Sequence, residues 1–116
     1  MKSQASIRIG TSAFTAAGWP GSFYPEGLKP AEYLTYYAQH FDTVEVDSTF
    51  YRIPPISTVR GWSAKTPLGF LFAAKVPQTI THEKVLLDCD AELKNFLATM
   101  DILGEKLGPQ IGRAHV

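Results

Sequence analysis

The sequence alternates between short apolar runs and longer stretches with helical periodicity. The apolar runs are residues 6–12 (SIRIGTS), 43–48 (TVEVDS) and 70–76 (FLFAAKV). Each run has the length of a strand, and each is followed by a segment in which apolar residues recur every three or four positions. Alternating strands and helices are typical of βαβ units, whose right-handed crossovers make the strands parallel. The alternation therefore predicts an α/β fold with about three βα units.

Three segments carry the helical pattern. The first covers residues 29–41, where Pro30 suits a first helical position. The second covers residues 56–67, with Ser57 as the expected N-cap, and the third covers residues 90–108. The expected buried face of the third helix is formed by Leu93, Phe96, Leu97, Met100 and Leu103.

The pattern stops after the third helical segment. A fourth strand is expected after Gly108 and Pro109, but only QIGRAHV follows. Three parallel strands would leave two open edges and an uncovered sheet face, which favours pairing with another chain. We therefore expect residues 1–109 to be the N-terminal part of a larger barrel or sheet, truncated before strand 4. Residues 110–116 are expected to be a non-native or truncated tail, and the chain is expected to self-associate.

The composition argues against several classes of partner. Eleven basic and eleven acidic side chains cancel, so no overall field attracts nucleic acid or an anionic membrane surface. No apolar run approaches the roughly 18 residues that span a bilayer, and the N-terminus lacks the apolar core of a signal peptide. Cys89 is alone, so no intrachain disulfide framework forms, as is usual in a reducing cytosol. A cytoplasmic protein is predicted.

Charged residues fall on one face of the predicted sheet. Side chains alternate along a strand, so Glu45 and Asp47 point away from the valines that flank them. The valines of this strand, with the isoleucines and phenylalanines of its neighbours, are expected to meet the helices. Arg8 and Lys75 belong to the same charged face in the neighbouring strands. Unpaired buried charges cost several kcal/mol, so we expect Arg8 and Glu45 to form an internal charge network, a structural role that competes with a functional one. Asp47 and Lys75 lie nearer the strand carboxyl ends, where parallel α/β folds bind ligands, and are candidate catalytic residues.

Polar and aromatic residues fill the three segments that follow the strands. The expected ligand-binding residues are Thr11, Ser12, Trp19, Ser48, Thr49, Tyr51 and Arg52. For Trp19 the alternative is packing over the mouth of the barrel. His82 is the candidate general acid or base, with a capping or surface role as the alternative. No His and Cys spacing suits a metal, and no P-loop, GxGxxG or GxSxG occurs, so the sequence leaves any cofactor unknown.

Four segments, taken together, resemble a known family. IRIGTSAFTAAGWPGSFYPEGL, YYAQHFDTVEVDSTFYRIP, GWSAKTPLGFLFAAKVPQTITH and LGP resemble, in order and spacing, the N-terminal half of the domain of unknown function 72 family, the YecE-like proteins. The resemblance covers about residues 7–109. It implies a TIM-like β/α barrel, of which this chain would supply about three units. The family carries no settled activity, so the resemblance implies the fold and leaves the function open.

These features favour an enzyme that acts on a small polar substrate at the carboxyl ends of the barrel strands. Asp47 and His82 would be the acid and base, and Lys75 and Arg52 would stabilise negative charge. The alternative is a non-catalytic module that binds a small molecule or a peptide in the same pocket. A metal-dependent barrel is a third interpretation, whose ligands would come from outside this chain.

Overall fold

Four parallel strands form one sheet in the computed structural model. The structure describes residues 7–83 and 87–111, and of His82 and Glu83 only the backbone. The strands are β1 Gly10–Thr11, β2 Thr43–Val46, β3 Leu71–Lys75 and β4 Leu107–Ile111, and they lie side by side in chain order. The predicted α/β class with parallel strands is confirmed. The described sheet is open, with β1 and β4 as its edges.

The fourth strand contradicts the expectation that the chain stops before it. β4 pairs with β3, and Ile111 lies opposite Lys75. Pro109 cannot donate a backbone hydrogen bond, but an edge strand tolerates proline, and the β3–β4 ladder shifts its register midway. The strand thus runs two residues past the boundary expected at residue 109. Residues 112–116 lie outside the described residues.

The first two helices lie close to their expected positions. A 3-10 turn, Pro30–Glu32, leads into α1 Tyr33–His40, so Pro30 does begin the helical segment. α2 Ile56–Ala64 follows Pro55, which is its N-cap, so the assignment of Ser57 as the N-cap is wrong. Proline suits this boundary because its fixed φ is compatible with the residue that precedes the first helical turn.

The third helix is shorter than the periodicity predicts. α3 Asp90–Met100 passes into a 3-10 segment, Asp101–Lys106, which is broken at Gly104 with φ 56° and ψ −125°. Leu93 and Leu97 are 36% and 38% exposed, although they were expected in the buried face. The side of α3 that carries them is left uncovered by the described part of the chain.

The helices cover one face of the sheet. Burial alternates along β2 and β3, where every second side chain is buried. The buried core includes Leu34, Tyr37, Val44, Val46, Val59, Trp62, Phe70, Phe72, Ala74, Phe96, Met100 and Leu103. The valines and phenylalanines of the strands therefore face the helices, as predicted from the period of two.

The opposite side of the sheet, here called the open face, is only half-buried. Its residues in β2 and β3 are Thr43, Glu45, Leu71, Ala73 and Lys75. Ile7 and Ile9 were expected to meet the helices, but they precede the two-residue strand β1 and are 87% and 66% exposed. No helix in the described part of the chain has the length and apolarity needed to cross a bilayer.

Candidate functional site

A cavity of about 240 Å³ lies on the open face, at the carboxyl end of β1 and beside the middle of β2 and β3. It is lined by Gly10, Thr11, Ser12, Thr43, Glu45 and Ala73, which come from three neighbouring strands and the residue after β1. Gly10 and Ala73 leave room because their side chains are absent or small. The remaining lining residues supply three hydroxyl groups and one carboxylate. The Thr11 and Thr43 hydroxyls donate to the Ala13 and Leu71 carbonyls, so they can only accept hydrogen bonds from a small polar molecule. The Ser12 hydroxyl can donate to such a molecule, and the Glu45 carboxylate can accept from it.

Glu45 is the charged residue of this cavity. Its side chain is half-buried, and its carboxylate has no hydrogen-bond or ion-pair partner among the described residues. A carboxylate without a protein partner is available to a ligand that donates hydrogen bonds. The sequence was interpreted as giving Glu45 a structural role in an internal charge network. The structure instead places Glu45 in the lining of the cavity.

Arg8 does not join Glu45 in a charge network. Its guanidinium donates a hydrogen bond to the Gly69 carbonyl and lies 4.0 Å from the Asp42 carboxylate. Gly10 is the first residue of β1 to pair with β2, so Arg8 lies before the ladder, at the amino end of the sheet. Glu45 lies further along β2. The strand register therefore separates the two residues that were expected to interact.

Tyr37 fixes the position of the cavity wall at Thr11. The Thr11 N–H donates to the Tyr37 hydroxyl at 2.8 Å, and this hydroxyl donates to the Thr43 carbonyl at 2.9 Å. The Thr11 hydroxyl is 2.9 Å from the Tyr37 hydroxyl and donates to the Ala13 carbonyl. One buried phenol thus connects β1 to β2. The apolar spacing of residues 29–41 places Tyr37 on the buried side of the helix. That spacing gives no indication of the hydrogen bonds that the Tyr37 hydroxyl makes.

The carboxyl ends of β2 and β3 are joined by Thr49. Its fully buried hydroxyl lies 2.6 Å from the Lys75 carbonyl and 3.1 Å from the Val46 carbonyl, so its expected ligand contact is replaced by a structural one. The Lys75 ammonium lies 5.1 Å from the centre of the Phe50 ring, a cation–π contact. Asp47 is half-buried at the end of β2, and its carbonyl accepts the Phe50 N–H at 3.0 Å.

The other candidate residues do not line the cavity. Ser48 and Arg52 are exposed, and Tyr51 is 70% exposed on the turn that follows β2. The backbone of His82 lies in a π-helical turn, Thr79–Glu83, and its side chain lies outside the described residues. Trp19 packs edge-on against Phe23, with ring centres 5.5 Å apart. Trp19 therefore makes the packing contacts that were considered as the alternative to ligand binding.

An aromatic cluster surrounds Tyr24, next to the first helix. Tyr24 is fully buried, stacks on Tyr33 with ring centres 4.2 Å apart, and donates its hydroxyl to the Phe14 carbonyl. The pKa of Tyr24 is raised to about 12, chiefly by burial and to a smaller extent by the nearby Tyr37 and Tyr33. This cluster belongs to the core and holds the segment before α1 in place.

The described residues contain no group of three or more His, Cys, Asp and Glu side chains that could hold a metal ion. The fold and the site together define the class of this protein. It is a parallel α/β protein with helices on one face of its sheet and a small polar cavity on the other, at the carboxyl end of β1.

The family follows from comparison with known proteins. The model of the family described as "Protein of unknown function DUF72" matches residues 8–112, and the chain belongs to this family. The chain is 37% identical over 75 residues to the UPF0759 protein YecE of Escherichia coli, covering 65% of this chain and 28% of that protein. It is 33% identical over 82 residues to the UPF0759 protein YunF of Bacillus subtilis, covering 68% of this chain and 29% of that protein.

Solved structures of the family agree with the fold. A DUF72 family protein from Thermotoga maritima matches with a TM-score of 0.72 and 34% identity, over 89% of this chain and 42% of that one. A DUF72 family protein from Enterococcus faecalis matches with a TM-score of 0.67 and 29% identity, over 88% of this chain and 37% of that one. The chain spans less than a third of the length of the curated relatives YecE and YunF, and 37% to 42% of these two solved chains.

Proposed function

We propose that this chain is one sector of a β/α barrel, and that the complete barrel is a cytoplasmic enzyme acting on a small polar substrate. Four adjacent parallel strands with helices on one face have the arrangement of a barrel wall, whose other face is the barrel interior. Barrel enzymes hold their substrates at the strand carboxyl ends. The single cysteine, Cys89, is free and buried, which suits a reducing compartment.

The observation that carries this proposal is the cavity around Glu45. Its carboxylate would accept hydrogen bonds from the substrate or take up a proton, while the hydroxyls of Thr11 and Ser12 would orient the substrate. Lys75 would stabilise negative charge that develops during the reaction. Asp47 and His82 remain candidates for a second acid or base. At about 240 Å³ the cavity is smaller than the roughly 300–1,000 Å³ typical of ligand pockets, which favours a small substrate or further walls from other elements.

The test compares Glu45→Gln with Glu105→Gln, an isosteric control on the exposed 3-10 segment Asp101–Lys106. Small polar metabolites are titrated into the isotope-labelled chain, and into any longer reading frame that contains it, while amide resonances are followed by NMR. We expect shifts at Ser12, Thr43 and Ala73. Affinity should fall about tenfold in Glu45→Gln, because one charged hydrogen bond is worth about 1.5–3 kcal/mol, and remain unchanged in the control.

Mass spectrometry of the same mixtures measures turnover. A compound that binds and is converted by the longer form supports the enzyme. A compound that binds without conversion supports the non-catalytic binding module instead. The proposed site is wrong if no compound shifts the cavity resonances, or if both glutamine variants bind as the original chain does.

A further inference from the structure

We propose that the ligand of this site is a small zwitterion, whose ammonium group contacts Glu45 and whose anionic group contacts Lys75. This inference rests on the proposed function, because it specifies the ligand of the same site. It starts from two opposite charges on the open face that do not neutralise each other. No ion pair among the described residues joins Lys75 to Glu45 or to Asp47.

The strand register sets the separation of the two charges. Glu45 lies opposite Ala73, and Lys75 is two residues further along β3, on the same face of the sheet. Two residues span about 6.6 Å along a strand, and neighbouring strands lie about 4.8 Å apart. Glu45 and Lys75 are therefore diagonal neighbours. A molecule of a few carbon atoms can reach from the cavity to the end of β3.

The surroundings hold each charge in its place. The Lys75 ammonium is kept over the Phe50 ring, and Thr49 binds the carbonyl of the same lysine. The Glu45 carboxylate shares its cavity with hydroxyls and small side chains. Both charged residues are half-buried, so each has lost part of its hydration. A ligand with both charges would compensate both side chains, whereas a ligand with one charge would leave the other uncompensated.

The test uses three probes of equal chain length: 4-aminobutyrate, butyrate and butylammonium. Each is titrated into the chain, and into any longer reading frame that contains it, and the dissociation constant is taken from the resonances of Ser12, Ala73 and Lys75. We expect 4-aminobutyrate to bind at least about tenfold more tightly than either singly charged probe, since each added charged contact is worth about 1.4 kcal/mol or more.

Two variants separate the charged contacts. In Glu45→Gln, 4-aminobutyrate should bind no more tightly than butyrate, and in Lys75→Met it should bind no more tightly than butylammonium. Lys65→Met, at the exposed end of α2, and Glu105→Gln are matched controls that should leave all three affinities unchanged. Lys75→Arg should retain most of the preference, because the positive charge remains. Circular dichroism confirms that each variant is folded.

The outcomes distinguish this inference from the proposed function. If neutral erythritol shifts the cavity resonances while 4-aminobutyrate binds no more tightly than butyrate or butylammonium, the proposed site is supported and a zwitterionic ligand is excluded. The zwitterion is also excluded if the control variants change the preference as much as Glu45→Gln and Lys75→Met do. If neither erythritol nor any charged probe shifts these resonances, both proposals fail.

Discussion

Tyr37 holds two strands together with one hydroxyl group, which bonds to the Thr11 N–H and the Thr43 carbonyl. Tyr37→Phe keeps the ring in the core and leaves these two backbone groups without that partner. We expect the free energy of unfolding to fall by about 1–3 kcal/mol, the usual cost of an unsatisfied buried polar group. Urea denaturation followed by circular dichroism measures the change.

The control for this prediction is Tyr36→Phe, one residue earlier on the same helix. Tyr36 is half-buried, and its hydroxyl forms no hydrogen bond with the described residues. Its removal should change the free energy of unfolding by less than about 0.5 kcal/mol. Equal losses in the two variants would show that the Tyr37 hydroxyl does not connect the strands.

Tyr24 makes stability depend on pH in the alkaline range. Folding raises its pKa from the ordinary value of 10.0 to about 12, chiefly through burial. Between these pH values the unfolded chain releases a proton that the folded chain keeps. The free energy of unfolding should therefore fall as the pH rises from about 10 to about 12.

Tyr24→Phe isolates this contribution, because other groups also titrate in the same range. Urea denaturation of both proteins is measured below, within and above the window. The difference in the free energy of unfolding between the two proteins should shrink as the pH rises through the window. A difference that stays constant with pH would contradict the raised pKa of Tyr24.

At the level of elements, β1 is short and lies very close to β2. A Cβ atom at Gly10 would stand 1.9 Å from the Thr43 carbonyl oxygen, so Gly10→Ala must push the two strands apart. At Gly61, within α2, an added Cβ atom would have no other atom within 4 Å outside its own helix backbone. We expect Gly10→Ala to lower the free energy of unfolding by about 1–3 kcal/mol through overpacking. Gly61→Ala should raise it by about 0.5–1 kcal/mol through helix propensity.

Urea denaturation of the two alanine variants checks both signs. A Gly10→Ala protein as stable as the original would mean that β1 is not held at this distance from β2. A loss of stability in Gly61→Ala would mean that α2 has a neighbour at this position.

Local patterns predicted the elements better than their ends. The parallel strands, the first two helices and the helix-facing valines were predicted from periodicity, because period and burial are properties of neighbouring residues. The predicted length of α3 was wrong because the α-helix passes into a 3-10 segment after Met100, and Gly104 breaks that segment, although the apolar pattern continues. β4 was missed because LGPQI contains Gly and Pro, and its pairing with β3 is visible only when both strands are in place.

At the scale of the whole molecule, we expect the chain to self-associate. Both edges of the described sheet, β1 and β4, offer unpaired backbone groups, and Ile7 and Ile9 are exposed beside β1. Sedimentation velocity should show an average mass that rises with protein concentration. Ile9→Lys should reduce association, because an edge lysine opposes strand pairing.

Leu68→Lys is the control for this prediction. Leu68 is 90% exposed in the turn before β3, which is a central strand of the sheet. Its substitution should leave association unchanged. A chain that remains monomeric at every concentration, or equal effects of the two lysine substitutions, would show that the β1 edge does not drive association.

The sequence by itself determined the α/β class, the parallel strands, the family and the face of the sheet that meets the helices. These follow from periodicity and from motif order along the chain. Only the tertiary structure decided where the described candidate residues lie and what they contact. Register separated Arg8 from Glu45, packing buried Thr49, and the Tyr37 hydroxyl positioned Thr11 beside the cavity. These contacts join residues that are distant in sequence, and their geometry depends on how strands and helices pack, which no local pattern encodes.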